Sequence, residues 1–300
     1  MKSKIYVIGS SNTDMVIKSD KLPAPGETVL GGVFLMNAGG KGANQAVAAA
    51  KLGAEVIFVS KVGNDIVGQQ AVEGFKSVGI NTDYVFIDTE NPSGVALILV
   101  DNHGENSISV ASGANGNLQI SEVQKAIDKV QEGDIVLLQL EIPLSTVNEA
   151  IKKCSEKGAK VILNPAPAQK LNDSFFKYLS MITPNETEAE ILTNIKVTDE
   201  ETAKQAANNL HGKGILEVII TLGSKGAFYS NKDKQILIPS PKVIAVDSTA
   251  AGDVFNGALC VAISEDQVIE AAIEFACKAA SISVTRMGAQ ASAPTREEVL

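Results

Sequence analysis

A stretch of small and polar residues near the end of the chain has the composition of an anion-binding turn. It runs from Asp247 to Gly257, between an apolar run at 243–246 that predicts a strand and a helical pattern that opens at Asp253. Free N–H groups and the dipole at a helix start favour an anion, and Gly252 would let a phosphate approach the backbone closely. The Asp253 carboxylate could then accept a proton from an attacking hydroxyl. The alternative is an aspartate that caps an ordinary helix.

Two further clusters could bind hydroxyl groups. The segment Gly39-Gly-Lys-Gly-Ala-Asn44 opens a predicted helix, and its glycines would let a polyol lie against bare backbone while Lys41 and Asn44 donate hydrogen bonds. The alternative is a glycine turn with a solvated lysine. Asn12 and Asp14 follow the first predicted strand and suit vicinal hydroxyls, although such residues also form turns.

Three other polar positions follow predicted strands. Glu141 comes after the strand at 135–140 and could bind the same polyol. Asn185 and Glu188 share the first turn of a predicted helix. They could hold a hydrated Mg²⁺ near phosphates, or simply supply the acidity that helix starts favour. The glycine turn 221–226 could wrap the ribose and phosphates of a nucleotide.

The elements that must position these residues alternate between helices and apolar, β-branched strands from Gly39 onward. This pattern predicts an α/β fold: a Rossmann-like, mostly parallel sheet with helices on both faces, where ligands bind beyond the carboxyl ends of the strands. The predicted strands are 4–9, 56–60, 84–87, 135–140, 161–163, 181–182 and 218–222, with a hairpin at 226–238. The predicted helices are 43–52, 66–78, 121–130, 145–157, one capped at 198–201, 253–263 and 266–284. A capping box is expected at Ser121.

A second, smaller sheet is predicted from segments without helical periodicity. Short apolar pieces lie within 15–36, at 15–17, 29–30 and 33–35, and two more at 94–100 and 106–110 flank a polar turn. Paired together, the segments 15–36 and 94–110 would form a small β-sheet lid on a single α/β domain that spans residues 1–300.

Composition excludes several classes of function. The 300 residues carry a net charge of −9, which argues against nucleic-acid binding, and no apolar run of about 18 residues predicts a membrane span. The three cysteines and two histidines suggest neither a disulfide framework nor a zinc site. A reducing cytoplasm is therefore expected. Neither a P-loop nor a G-x-G-x-x-G turn is present, which argues against a nicotinamide-dependent oxidoreductase.

In this order and combination, the motifs resemble the PfkB family of carbohydrate kinases. Two signature regions carry the resemblance, the segment Gly39–Asn44 and the segment Ala250-Ala-Gly-Asp-Val-Phe-Asn-Gly257, and the likeness extends to Gln290. The resemblance implies ATP-dependent phosphorylation of D-ribose at its 5-hydroxyl. It also implies a lid that serves as the interface of a homodimer, and activation by a monovalent cation such as K⁺.

The family resemblance also implies roles for particular residues. Asp253 would be the catalytic base, and the backbone of Ala250, Ala251, Gly252 and Asp253 the anion hole. The sugar would lie among Asn12, Thr13, Asp14, Gly40, Lys41, Gly42, Ala43, Asn44, Glu141 and Asp253. ATP would contact Asn185, Thr221, Leu222, Gly223, Ser224, Lys225, Gly226, Gly252, Asp253 and Cys277, with Mg²⁺ held through water by Glu188. The monovalent cation would lie at Asp247, Thr249, Ser283, Arg286, Gly288 and Ser292.

Two positions depart from the family pattern. Val254 replaces the threonine common after the catalytic aspartate, and Cys277 stands where relatives often place histidine or asparagine near adenine. The alternatives to a ribose-phosphorylating enzyme are a family kinase for deoxyribose, fructose or a nucleoside, and a non-catalytic sugar-binding sensor on the same fold.

Overall fold

The computed structural model describes residues 3–300 and contains the predicted α/β sheet. Its strands are β1 (Ile5–Ile8), β2 (Asn12–Lys18), β3 (Val33–Gly39), β4 (Val56–Gly63), β5 (Asn81–Asp88), β6 (Gly94–Val100), β7 (Asn106–Ala111), β8 (Ile135–Leu138), β9 (Lys160–Leu163), β10 (Met181–Ile182), β11 (Glu217–Thr221), β12 (Ala227–Ser230) and β13 (Gln235–Ile238). Its helices are α1 (Lys41–Lys51), α2 (Ile66–Ser77), α3 (Ile120–Ile127), α4 (Leu144–Glu156), α5 (Glu186–Thr193), α6 (Glu200–Gly212), α7 (Ala251–Ser264), α8 (Ile269–Ser283) and α9 (Arg296–Val299).

The main sheet has nine strands in the order β13-β12-β11-β10-β9-β8-β1-β4-β5. All pairs from β5 to β11 are parallel, and the predicted hairpin at 226–238 forms the antiparallel edge β11-β12-β13. Alternate side chains of each strand enter two hydrophobic cores, one beneath α3 to α6 and the other beneath α1, α2, α7 and α8. The fold-class prediction is therefore confirmed.

The second sheet has four strands in the order β3-β2-β6-β7. Its central strands β2 and β6 are parallel, and β3 and β7 pair with them in antiparallel fashion. The chain enters and leaves this sheet at its Asn12, Gly39 and Gly94 end, where these three residues lie in register. We call this four-stranded sheet the lid sheet. No helix in the described part of the chain is long and apolar enough to cross a membrane.

Two predicted strands are wrong. The apolar run at 243–246 forms no strand: Ile244 is 88% exposed, and the Val246 N–H donates to the carbonyl oxygen of Val284, just after α8. Pro239 and Pro241 precede it and lack the N–H groups that would continue the ladder beyond β13. The run at 29–30 also forms no strand, because Gly31 and Gly32, with φ of 90° and 114°, turn the chain away before β3 begins.

Helix starts lie within three residues of the prediction, the largest difference being α8, which begins at Ile269 where 266 was predicted. Ser121 does not cap α3; instead the Glu122 carboxylate accepts a hydrogen bond from the backbone N–H of Gln119. Helix α6 is capped by Asp199, which pairs with Thr202. The short helix α9 was not predicted, because four residues are too few to show helical periodicity. The first two residues of the predicted 1–300 domain lie outside the described residues.

Candidate active site

Helix α7 begins beside a strained backbone turn. Ala250 precedes the helix with φ of 61°, in the left-handed region, and this conformation directs the first N–H groups of α7 to one side. Asp253 is the third residue of the helix, so the alternative in which it caps the helix is wrong. The amide of Asn256 donates to the Gly252 carbonyl oxygen at 2.8 Å and reinforces this turn.

Asp253 is a buried carboxylate held by two amides. Its exposed fraction is 6%, and its oxygens accept hydrogen bonds from Asn44 Nδ2 and Gln45 Nε2, each at 2.9 Å. Burial raises the pKa of Asp253, although nearby Lys41 and the two amides favour the ionised form. The carboxylate can therefore accept a proton more readily than an exposed aspartate.

The predicted glycine turn packs directly on the end of β1. A Cβ atom on Gly40, whose φ is 89°, would lie 2.6 Å from the backbone nitrogen of Asn12, and one on Gly42 would lie 2.6 Å from that of Ser10. Glycine is therefore required at both positions. This close approach brings Lys41 N–H to Glu141 Oε2 at 3.0 Å. Ala43 is buried behind the turn, where its N–H donates to the Ser10 carbonyl oxygen.

Lys41 lies at the centre of the acidic groups. Burial disfavours its charged ammonium, but the surrounding carboxylates outweigh that effect and raise its pKa; they belong to Asp253, Glu141, Glu188 and Asp14. A cation at this point can partly neutralise an anionic ligand that enters the acidic cleft.

The side chain of Asp14, a residue of strand β2, extends from the lid sheet toward Lys41, Glu141 and Asp253. A Cβ atom on Gly39 would lie within 2.4 Å of its carboxylate, so Gly39 provides the space that Asp14 occupies. Burial, with additional repulsion from Glu141 and Asp253, raises the pKa of Asp14 to about 6. Asp14 is therefore an acceptor of hydrogen bonds that becomes protonated just below neutral pH.

Asn12 and Thr13 line a cavity of about 140 Å³ between the lid sheet and α2, separate from the acidic cleft around Lys41. The amide of Asn115 is buried there and clamps Ser11 by accepting from its N–H at 2.9 Å and donating to its carbonyl oxygen at 3.0 Å. Asn115 Nδ2 also approaches Asn12 Oδ1 at 2.8 Å. The Asn12 oxygen therefore has a partner, and its amide nitrogen is the group it can offer to a hydroxyl.

A cavity of about 160 Å³ opens in front of α7, beyond the carboxyl ends of the parallel strands. It brings together eight of the predicted site residues, Lys41, Asn185, Glu188, Thr221, Ala250, Ala251, Gly252 and Asp253. Asn164, Ala166, Thr183, Ser248 and Asn256 complete its lining. Ligands bind at this position in parallel α/β sheets.

Asn185 and Glu188 form a reciprocal capping box at the start of α5. Glu188 Oε2 accepts from the Asn185 N–H at 2.9 Å, and Asn185 Oδ1 accepts from the Glu188 N–H at 2.8 Å. Burial raises the pKa of Glu188, opposed by this backbone hydrogen bond and by Lys41. The capping role is thus present in the same residues that line the cavity.

The loop at 222–226 follows Thr221, the last residue of β11. Leu222 enters the core, Ser224 is exposed, and Lys225 Nζ donates to the Thr198 carbonyl oxygen at 2.9 Å. Gly223 and Gly226 have φ of 53° and 110°, and a Cβ on Gly226 would lie 2.0 Å from the Ile238 carbonyl oxygen. Residues 222–226 do not line the cavity itself, whereas Thr221 at the end of β11 does.

The remaining predicted positions lie outside the cavity. Cys277 is buried in the core of α7 and α8, where burial raises the pKa of its thiol to about 12. Asp247 accepts hydrogen bonds from the N–H groups of Thr249 and Gly288, both at 2.9 Å, which ties the segment before α7 to the segment after α8. Of the other three, Ser283 and Ser292 are buried and Arg286 pairs with Glu298.

Six residues that line the cavity or contact Asp253 were not predicted: Gln45, Asn164, Ala166, Thr183, Ser248 and Asn256. Asn164 and Thr183 each follow the last residue of a buried parallel strand, so their position in sequence was a usable signal. Gln45 and Asn256 lie on helices among small or apolar residues, and only their contacts in three dimensions distinguish them.

Comparison with known proteins agrees with this geometry. The chain is 47% identical to the ribokinase of Haemophilus influenzae over 100% of this chain and 98% of that protein. It is 39% identical to a deoxyribokinase of Salmonella typhi over 98% and 96% of the two chains. The structure matches a ribokinase from Thermotoga maritima with a TM-score of 0.89, 42% identity and coverage of 99% and 98%. It also matches an Arabidopsis thaliana ribokinase complexed with ribose and ATP, with a TM-score of 0.89, 34% identity and coverage of 100% and 98%.

The family comparison covers almost the entire chain. The profile described as pfkB family carbohydrate kinase matches residues 2–296, which include both glycine turns and the whole of α7. Together with the relatives above, this match shows that the chain belongs to the pfkB family of carbohydrate kinases.

Proposed function

We propose that the protein is a ribokinase that transfers the γ-phosphoryl group of ATP to O5 of D-ribose, giving D-ribose 5-phosphate and ADP. The observation that carries the proposal is the buried Asp253 carboxylate, which lies at the start of α7 and is bonded to Asn44 of the glycine turn. Asp253 would thus act as a general base between the start of α7, which would bind the phosphates, and the polar cleft around Asp14, Lys41 and Glu141, which would bind the sugar. The ribokinase names of similar proteins support ribose as the acceptor.

Asp253 would accept the proton of the sugar hydroxyl as that oxygen attacks the γ-phosphorus in line. The N–H groups at the start of α7, beside Ala250 to Gly252, would bind the charge that develops on the transferred group. Lys41, held among carboxylates, would neutralise phosphate oxygens from the opposite side of the cleft. Positioning and charge stabilisation account for most catalysis in this class of reaction.

The sugar would be held by the cleft that the lid sheet covers. Asp14 and Glu141 would accept hydrogen bonds from its hydroxyls, and Asn12, Lys41 and Asn44 would donate. Gly40, Gly42, Ala43 and Thr13 would shape the surface against which the ring lies. Closure of the lid sheet would exclude water and limit hydrolysis of ATP.

The nucleotide would extend from α7 toward the loop after β11. Asn185, Thr221, Gly223, Ser224 and Gly226 would bind it, with Leu222 and Lys225 fixing the loop from behind. Cys277 would act only through the core beneath the adenine, because its side chain is buried there.

The residues present fit both expected cations. Both oxygens of Glu188 already accept hydrogen bonds from Asn185, so this carboxylate suits Mg²⁺ that keeps its own waters. Magnesium would neutralise charge on the phosphates. Asp247, Thr249, Ser283, Arg286, Gly288 and Ser292 would hold a monovalent cation such as K⁺, several of them through backbone oxygens, since Asp247 already joins the two segments that flank α7 and α8.

A kinase for deoxyribose is the second candidate, favoured by the similarity to a deoxyribokinase. The phosphate machinery would be the same, so only contacts to the 2-hydroxyl discriminate. A sugar-binding sensor would not need the buried base that this chain retains. We also expect a homodimer through the lid sheet and a cytoplasmic location.

Release of ADP from Mg·ATP across D-ribose, 2-deoxy-D-ribose, D-fructose and a nucleoside, with and without K⁺, tests this proposal. We expect the highest kcat/KM with D-ribose and a higher rate with K⁺. Turnover with another acceptor only would reject ribose while keeping the phosphoryl-transfer chemistry. Ribose binding without turnover on any acceptor would favour the sensor.

A further inference from the structure

A chain of buried amides lies behind Asp253. Gln45 is fully buried, and its Nε2 donates to Asp253 Oδ1 at 2.9 Å and to Asn164 Oδ1 at 3.0 Å. Its Oε1 accepts from Gln139 Nε2 at 2.5 Å. Both amide hydrogens and the carbonyl oxygen of Gln45 thus have partners, and only one orientation of the amide satisfies all three contacts.

These hydrogen bonds continue around the base and return to the helix that carries it. Asn164 Nδ2 donates to the Thr183 carbonyl oxygen at 3.1 Å, and Thr183 Oγ1 donates to Asn256 Oδ1 at 2.6 Å. Asn256 Nδ2 donates to the carbonyl oxygen of Gly252, the residue before Asp253. The resulting closed set, which we call the amide ring, links the carboxylate of the base to the backbone of the anion hole.

Hydrophobic packing does not explain why residue 139 is a glutamine. It is fully buried, and its Oε1 has no hydrogen-bond partner among residues 3–300. A Cβ atom on Gly9 would lie 2.0 Å from that oxygen, so the end of β1 leaves space for this side chain. An apolar residue would avoid the cost of an unpaired buried carbonyl, which argues that the Gln139 amide is retained for its contact with Gln45.

We propose that Gln45 is a positioning residue for Asp253, and that Gln139 fixes the direction of the Gln45 amide. Two neutral donors, Asn44 and Gln45, hold the carboxylate in one orientation and favour its ionised form without a salt bridge. The proposal rests on the role of Asp253 as the base, as given under the proposed function.

The charges around Asp253 set the background for its titration. They come from four elements that face it: Lys41 on α1, Glu141 after β8, Asp14 on β2 and Glu188 on α5. Substitution of Gln45 or Gln139 removes none of these four charged groups. A shift in the pKa of Asp253 therefore reports the lost hydrogen bonds.

The test is the pH dependence of kcat/KM for ribose at saturating Mg·ATP, measured for Gln45→Leu and Gln139→Leu. A hydrogen bond to an ionised group is equivalent to about one or two units of pKa. We therefore expect the acid limb of Gln45→Leu to move up by about one pH unit and its kcat to fall roughly 10- to 100-fold, because a misoriented base loses much of its contribution. Gln139→Leu should shift the limb in the same direction by less. The KM for ribose should change only a few-fold.

Thr146→Val is the matched control. Thr146 is a buried residue whose hydroxyl donates to the Leu118 carbonyl oxygen at 2.8 Å, away from the amide ring. Its loss should lower Tm without moving the acid limb. An unmoved acid limb in Gln139→Leu, with Tm lowered as in the control, would overturn the proposal even where Gln45→Leu fails to fold. Wild-type turnover in Asp253→Asn would instead remove Asp253 from the mechanism, and absence of turnover by the wild type on any acceptor would reject the proposed function itself.

Discussion

At the scale of one residue, Asp14, which we propose binds the sugar, lowers the stability of the fold. Its folded-state pKa of about 6 lies above the ordinary 3.8, so its ionised form is less favourable in the folded protein than in the unfolded chain. This cost is absent below pH 3.8, grows as pH rises toward 6, and is complete above 6. At neutral pH the Asp14 carboxylate is ionised and its cost to stability is greatest. A destabilising carboxylate at this position fits a role in binding.

We predict that Asp14→Asn raises the free energy of unfolding at pH 8 by on the order of 1 kcal/mol, after allowance for partial screening by solvent. The gain should shrink toward pH 4, and urea denaturation at both pH values measures it. The same variant should raise the KM for ribose at least 10-fold. The carboxylate, which only accepts hydrogen bonds from hydroxyls, becomes an amide with one accepting and one donating group. Asp233→Asn, on an exposed turn, should change neither quantity. A destabilised Asp14→Asn at pH 8 would contradict this account.

Residue types and spacing indicated which polar groups lie together in the candidate site, but not which residues hold them in place. Asp253, Lys41 and Asn44 were predicted because they lie beside glycine turns, which carry a signal in one dimension. Gln45 and Gln139 were missed, since a glutamine within an apolar run has no local signature and acquires its meaning from partners about 94 and 208 positions away. Long-range hydrogen bonds of this kind are invisible to periodicity.

At the scale of elements, the lid sheet depends on one crowded row where its strands meet the main body. Asn12, Gly39 and Gly94 are in register there. A Cβ atom on Gly94 would lie 2.2 Å from both Asn115 Nδ2 and Asn12 Oδ1. The strand cannot accept a side chain at this point without displacing the group that we propose contacts the sugar.

We therefore predict that Gly94→Ala weakens ribose binding at least 10-fold and leaves the Kd for ATP within about 2-fold. Isothermal titration with each ligand separately distinguishes the two effects. Gly212→Ala in α6 is the matched control, because a Cβ atom there meets no neighbour within 4 Å. Equal losses for ribose and ATP in Gly94→Ala would indicate general unfolding and reject a local role for this row.

Element boundaries that the sequence misassigned share one physical cause. The runs at 243–246 and 29–30 have the β-branched and apolar composition of strands, but neither run pairs with another strand. Proline before one and glycines after the other remove the backbone geometry that pairing requires. The strands of the lid sheet, by contrast, were predicted at 94–100 and 106–110 because a polar turn separates two alternating runs.

At the scale of the whole molecule, the lid sheet exposes apolar side chains on both faces. Leu97 is 56% exposed on one face, and Ile108, which shares the face of Asp14, is 57% exposed. A sheet that has one face in water usually keeps that face polar. The proposed coverage of the sugar would account for part of one face only, and association of two lid sheets would bury the remainder.

We predict a dimer in light scattering at micromolar concentration, with Leu97→Glu or Ile108→Glu shifting it toward monomer, since a buried unpaired carboxylate opposes association. Leu216→Glu, at a residue 69% exposed and outside the lid sheet, should remain dimeric. A monomeric wild type, or two lid variants that both stay dimeric, would exclude the lid sheet as the interface.

The central claim is that Asp253 acts as the general base, and one comparison tests it most directly. ADP formation with saturating ribose and Mg·ATP should fall about 10²- to 10⁴-fold in Asp253→Asn, the usual contribution of a positioned base. The Kd for ribose should change only a few-fold, because the side chain keeps its size and position in the cleft. A variant that turns over within a few-fold of wild type would contradict the account and remove Asp253 from the mechanism.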